Sequence, residues 1–302
     1  MEKENKIDFF LVGAARCGTT SLYNYLNSND GIFLPKVKEP NYFSDVDSPK
    51  SEDFDAPKPD KTYHSKIITS KKIYNSLYDK ALATQLKGDT SPSYLWDKNT
   101  AKKIYAHNPN AKIIISLRHP IDRAYSHYIM NYFTGVEKNK YFQDALKASK
   151  NPMWGSCNQY LEMSAYFEQV KEYFNVFPKE QIKVLVYEDW TKNIESDING
   201  LFQFLNVEID RQVWSDKVEY NKMKPIKNIN LLNFLRHNKI KKVIKKIINQ
   251  DFIDKLKSNL FESKSEIEKL DLKIRHQLSL EFKEDVKQLG ELTGIHFASK
   301  WY

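Results

Sequence analysis

The sequence predicts an α/β domain with a central parallel sheet flanked by helices, and three observations carry that prediction. Apolar, strand-type runs recur at Phe9-Phe10-Leu11-Val12, Ile113-Ile114-Ile115-Ser116-Leu117 and Ile182-Lys183-Val184-Leu185-Val186-Tyr187. Segments with helical periodicity separate them, an alternation that suits parallel strands rather than hairpins. The chain has 302 residues, 41% of them hydrophobic, which is ample for a large core.

The first run leads into a helix, because Leu22, Tyr25 and Leu26 fall on one face at helical spacing. Ile121, Ala124, Tyr125, Tyr128 and Ile129 repeat the pattern after the second run. Pro120 suits the first turn of that second helix, where a missing amide hydrogen costs nothing, and it pushes His119 out of helical geometry. Residues 44–64 mix Pro49, Pro57 and Pro59 with many acids and read as a long surface loop of the kind that forms lids. A second irregular stretch, 210–230, surrounds Asn221-Lys222-Met223-Lys224-Pro225. The chain beyond it is mostly helical and ends in an amphipathic segment with Leu272, His276, Leu280, Phe282, Val286 and Leu289. No domain boundary and no repeat of fixed period is visible, so 1–302 reads as one domain.

Composition excludes several classes. Charged residues make up 28% and aromatics 13%, a globular rather than a disordered balance. The longest apolar stretch, Phe9 to Ala15, is far short of the roughly 20 residues that span a bilayer. The opening Met1–Asp8 lacks the pattern of a secretory signal, so a cytoplasmic location is expected. Cys17 and Cys157 form no metal-type spacing and are expected to be free thiols. The net charge of +8 favours anionic partners without saying which.

The sharpest local signal is Gly13-Ala14-Ala15-Arg16-Cys17-Gly18-Thr19-Thr20-Ser21-Leu22, set between a strand and a helix. Small residues let backbone amides converge on an anion, the helix start adds partial positive charge, and three consecutive hydroxyls add donors. A plain capped strand-to-helix turn is the alternative. An ATPase loop would carry lysine where Thr19 stands, so that pattern fails at its key residue. A second segment, Arg118-His119-Pro120-Ile121-Asp122-Arg123-Ala124-Tyr125-Ser126, puts an arginine fork at a strand end, which suits phosphate. Its alternative is an arginine paired with Asp122.

The first segment resembles the 5′-phosphosulfate loop of sulfotransferases, Gly-x-x-[Lys/Arg]-[Ser/Cys/Thr]-Gly-Thr-Thr-Ser-Leu, and the second resembles that family's 3′-phosphate motif. The likeness continues through Lys38-Glu39-Pro40-Asn41-Tyr42-Phe43, through Gly88-Asp89-Thr90-Ser91-Pro92-Ser93-Tyr94-Leu95, and through Tyr187-Glu188-Asp189-Trp190 to about Val207. The closest branches are the carbohydrate, heparan-sulfate-like and bacterial ones. Asp89 and Thr90 depart from the glutamate and lysine often found there.

The resemblance implies a P-loop-type three-layer domain and transfer of a sulfuryl group from 3′-phosphoadenosine 5′-phosphosulfate, without a metal, to a hydroxyl or amine. It implies a carbohydrate or lipid-linked acceptor. Ala15, Arg16, Cys17, Gly18, Thr19, Thr20 and Ser21 would take one end of that nucleotide, and Arg118 and Ser126 the other. Arg16 would stabilise the leaving oxygen and Glu39 would accept the acceptor's proton, although Lys36 and Lys38 are expected to depress its pKa. His64 is the fallback base. Lys38, Ser91 and Tyr94 are the acceptor-site candidates, and Lys222 and Lys224 further nucleotide contacts.

Two other classes compete. A P-loop kinase or ATPase needs the missing lysine. A non-catalytic membrane or nucleic-acid binder would use the basic stretch 231–260, where Lys239, Lys241, Lys242, Lys245 and Lys246 face away from Ile240, Val243, Ile244 and Ile247. A peripheral membrane contact fits that stretch, whereas no nucleic-acid partner is expected. The acids of Val184-Leu185-Val186-Tyr187-Glu188-Asp189 imitate an ATPase magnesium strand and are expected to be structural. The histidines at 107, 119, 127, 237, 276 and 296 are expected to be surface or capping residues.

Overall fold

The computed structural model describes residues 5–46, 50–51, 67–210, 212–215 and 270–302. Strand β1 (Phe9–Gly13) leads into α1 (Thr19–Asn27), followed by β2 (Ile32–Phe33), a short parallel pair β3 (Lys50–Ser51) and β4 (Ile67–Ile68), and α2 (Lys71–Ser76). Next come β5 (Leu86–Asp89), α3 (Ser93–Trp96), α4 (Thr100–His107), β6 (Lys112–Leu117), α5 (Pro120–Phe133) and α6 (Phe142–Lys147). The described chain continues with α7 (Phe167–Val176), β7 (Ile182–Val186), α8 (Tyr187–Trp190), α9 (Ile194–Leu205) and α10 (Gln212–Ser215), and closes with α11 (Leu272–Thr293) and α12 (Phe297–Trp301).

The main sheet has the order β2-β5-β1-β6-β7 with every pairing parallel. All five residues of β1 are buried, as expected of a central strand covered on both faces. Side chains alternate between faces: Phe10 and Val12 join Ile113 and Ile115 under α3, α4, α5, α7 and α11, whereas Phe9 and Leu11 join Ile114 and Leu185 under α1 and α9. Each such fully buried large side chain contributes about 1.5–3 kcal/mol relative to exposure. The result is the three-layer α/β arrangement with the central parallel sheet.

Pro120 opens α5, and His119 sits at its N-cap with φ −41° and ψ 119°, accepting a bond from the Ile121 amide at 3.2 Å. The acids after β7 are structural ties: Glu188 accepts from the His119 amide and from Trp301 Nε1, both at 2.9 Å, and Asp189 pairs with Lys300 at 2.6 Å. Cys17 and Cys157 are free and buried.

Three expectations need correction. Residues 50–51, placed within a loop, pair with 67–68 as strands. The buried stripe of α11 is Leu278, Phe282, Val286 and Leu289, while Leu272 and Leu280 face solvent. His127 is neither surface nor cap but buried. Most of the 44–64 segment with His64, the lysines at 222 and 224, and the basic stretch 231–260 lie outside the described residues. Among those described, no helix is long and apolar enough to cross a membrane.

Candidate active site

The carboxyl edge of a parallel sheet is where loops can gather around a ligand. Here it collects the turns after β1, β5, β6 and β7. Gly18 caps α1 with φ 80° and offers no side chain to its amides, so the first-turn N–H groups face outward with the positive end of the helix. Only glycine fits there. An added Cβ would lie 2.3 Å from Trp190 Cζ2 and 3.0 Å from Tyr187 Cδ2. Trp190 donates to Ser116 Oγ at 3.1 Å, and Ser116 Oγ donates to the Cys17 carbonyl at 2.7 Å, which clamps the loop onto β6.

Arg16 also has left-handed backbone, φ 73°, which costs a non-glycine residue about 1–3 kcal/mol. That conformation aims its guanidinium at α5, where Nε and Nη2 donate to Ser126 Oγ at 3.3 and 3.2 Å. The two segments singled out in the sequence therefore touch. They also share one cavity of about 1170 Å³, whose wall includes Ala15, Arg16, Gly18, Thr19, Thr20 and Ser21 from one side. Arg118, Ser126 and Glu39 line it as well. Cys17 is not on the wall, because its thiol turns inward to the Tyr166 hydroxyl at 3.6 Å.

Arg118 lies over the Tyr187 ring, 4.8 Å from its centroid, and its carbonyl accepts the Tyr166 hydroxyl at 2.9 Å. The alternative pairing with Asp122 does not form. Asp122 bonds Arg275 of α11 at 2.5 and 3.2 Å instead.

Glu39 and Lys38 are each 5% exposed, with Lys38 Nζ 2.5 Å from Glu39 Oε1. Glu39 has φ 62°, and Asn41 braces it by donating from Nδ2 to its carbonyl at 2.8 Å. Burial pushes the Glu39 carboxyl above its ordinary range, and Lys38 and Arg16 counter this only in part. The expected depression by flanking lysines is thus reversed, because the Glu39 carboxyl is itself buried while Lys36 is exposed to solvent.

Ser91 and Tyr94 are fully buried and off the cavity wall, which corrects the expectation that they meet acceptor. Ser91 Oγ donates to Asp89 Oδ1 at 2.7 Å, while the Tyr94 and Tyr74 hydroxyls donate to Oδ2 at 2.8 and 2.9 Å. Ser91 Oγ also accepts the Asn41 amide at 3.1 Å, so this network carries the Glu39 segment. Lys38, likewise expected at acceptor, is turned onto Glu39 and is absent from the wall.

Burial pushes Asp89 up to about 6 from an ordinary 3.8, even though three hydroxyls donate to it. Because the folded pKa lies above the unfolded one, its contribution to stability is present below pH 3.8 and is lost as pH rises through about 6. Against Asp89→Asn, the native protein is expected to lose about 2 kcal/mol of relative stability between about pH 4 and pH 7. Urea unfolding across that range checks this, and a constant difference would refute it.

Sequence reasoning missed part of the wall. His127 and Trp154 line the cavity, and His127 Nδ1 and Trp154 Nε1 have no hydrogen-bond partner among the described residues. Burial, with Arg123 and Arg16 nearby, drives the His127 imidazole well below its ordinary range, so it is neutral. A histidine inside an amphipathic helix gives no sign of which way it faces.

With Thr19 where an ATPase loop carries lysine, the fold and cavity define a P-loop-type α/β domain whose anion-binding turn departs from the ATPase pattern at its key residue. The sulfotransferase domain model matches residues 6–290, and the chain belongs to that family. Carbohydrate sulfotransferase 15 of Homo sapiens is 25% identical over 245 residues, covering 66% of this chain and 43% of that protein. The membrane-associated sulfotransferase kil1 of Dictyostelium discoideum is 22% identical over 318 residues, covering 79% of this chain and 61% of that one. The chain thus spans only about two fifths to three fifths of these relatives. A solved sulfotransferase from Alicyclobacillus acidocaldarius superposes with a TM-score of 0.69 at 25% identity over 98% of both chains.

Proposed function

We propose that this chain transfers a sulfuryl group from 3′-phosphoadenosine 5′-phosphosulfate to a hydroxyl or amine of a carbohydrate. The observation that carries the reading is the single cavity that joins the loop at 15–21 to Arg118, Ser126 and Glu39. The donor set fits a nucleotide with phosphate at both ends. The α1 amides with Thr19, Thr20, Ser21 and Arg16 would hold the 5′ end, and Arg118 with Ser126 the 3′-phosphate. When bound, the nucleotide supplies a sulfuryl group on a phosphate oxygen that gains charge as the bond breaks. Arg16 stabilises charge at that oxygen as a permanent cation and donates no proton. Glu39 takes the acceptor's proton as the new S–O or S–N bond forms.

The wall beyond Ser126 combines the apolar Met130, Trp154 and Met163 with the polar Asn131 and Thr134, a mixture that suits a sugar ring. The names of the relatives support that acceptor class, among them a bifunctional heparan sulfate N-deacetylase/N-sulfotransferase of Drosophila melanogaster, 23% identical over 213 residues and 20% of its length. A lipid-linked glycan at a membrane surface is the finer form, supported by the basic sequence 231–260 and the membrane-associated relative.

Calorimetry with adenosine 3′,5′-bisphosphate against ATP, then labelled-sulfate transfer to glycans, alcohols and amines, tests the reading. Tighter binding of ATP, or no transfer to any acceptor, would overturn it. Since Glu39 must be ionised to act as base and burial raises its pKa, kcat/KM should climb with pH through a value above the ordinary carboxylate range. Glu39→Gln is expected to erase that limb and to cost about 10²-fold or more. An unchanged profile would remove Glu39 from the reaction.

A further inference from the structure

Arg123, in α5, is fully buried behind the cavity wall. Its Nε donates to the Ala15 carbonyl at 3.0 Å and its Nη1 to the Tyr160 carbonyl at 3.2 Å and to Ser164 Oγ at 3.4 Å. Nη2 meets Met163 Sδ at 3.7 Å. Among the described residues no carboxylate pairs with it. Burying an arginine charge without a counter-charge is costly, and an apolar side chain would fill the same space more cheaply.

What the charge holds explains its place. The carbonyl of a planar trans peptide lies antiparallel to the next amide. With the Ala15 carbonyl drawn behind the wall to Arg123, the Arg16 amide is turned to the opposite side, where the loop faces the cavity. A low-dielectric setting also lets the guanidinium act on an anion in the loop with little screening. The same charge adds to burial in keeping His127 neutral.

We propose that Arg123 is a positioning residue: it sets the Ala15–Arg16 peptide, and its unpaired charge is the buried counterpart of an anion bound at 15–21. The kinetic arm of the test rests on the sulfuryl-transfer reading, whereas the binding arm does not.

The experiment titrates adenosine 3′,5′-bisphosphate calorimetrically into the full chain, native and as Arg123→Lys and Arg123→Met, with kcat, KM and unfolding midpoints measured alongside. Arg123→Lys keeps the charge but not the fork. It should bind within about threefold of native and lose about tenfold or more in kcat, with KM little changed. Arg123→Met should lose about tenfold or more in affinity as well. A merely structural role would lower the midpoints and leave affinity and kcat of the folded protein at native values, which would overturn the proposal. If Arg123→Met does not fold, Arg123→Lys decides alone, native kcat being the overturning result. If the native protein itself fails to bind the bisphosphate, the donor reading falls, and inorganic pyrophosphate becomes the probe for the same variants. Equal pyrophosphate affinity in the native protein and Arg123→Met, or in the native protein and Arg123→Ala should the methionine variant not fold, would then overturn the role of Arg123.

Discussion

Arg16→Ala is expected to lower kcat by about 10²–10³-fold, the loss typical of removing one group that stabilises developing charge in a dry site. The effect should fall on kcat more than on donor KM, because the α1 amides, the neighbouring hydroxyls and Arg118 remain to bind the nucleotide. Arg16→Lys should recover part of the loss: an ammonium can stabilise the same oxygen, but it lacks the planar fork that now spans Ser126 Oγ. Steady-state rates with labelled donor, read beside bisphosphate affinity, separate the two effects. Rates for Arg16→Ala within a few-fold of native would show that this arginine does not face the reacting centre.

Gly18→Ala is expected to cost about 2–4 kcal/mol of stability and to abolish nucleotide binding. Two penalties combine at one atom. The backbone is left-handed at φ 80°, and the new methyl would sit 2.3 Å from the Trp190 ring, which is itself held by Ser116. Relief requires Trp190 or the start of α1 to move, and either motion displaces the amides of Thr19, Thr20 and Ser21 from the cavity. Thermal unfolding and bisphosphate titration of the variant measure both parts. Native stability would mean the loop yields without cost, contrary to its packing.

How much of this was legible in the sequence depended on whether the signal was local. The buried runs of β1, β6 and β7 could be read directly because a strand covered on both faces is apolar throughout. β5 could not: Leu86-Lys87-Gly88-Asp89 has no such run, and it is a strand because it pairs with β1, where a Cβ on Gly88 would lie 2.2 Å from the Phe9 ring. In α11, the helical period admits neighbouring stripes, and only contact with α7 and α5 selects Leu278 over Leu280.

In the site, the placement of Arg16, Arg118, Ser126 and Glu39 on one wall followed from spaced motifs. The inward turn of Ser91, Tyr94 and Cys17 did not, since sequence names a hydroxyl or thiol without saying which way it points. Arg118 and Arg123 show the same limit. Two arginines five residues apart look alike in sequence, yet one stacks on Tyr187 beside the cavity and the other lies fully buried behind it.

The central claim is that both anion-binding segments grip one nucleotide, and comparing adenosine 3′,5′-bisphosphate with adenosine 5′-monophosphate in a single calorimetric series tests it most directly. The account predicts that the bisphosphate binds at least about tenfold tighter, and that Arg118→Ala erases the difference while leaving monophosphate affinity intact. Equal affinities in the native protein, or a preference untouched by Arg118→Ala, would contradict it.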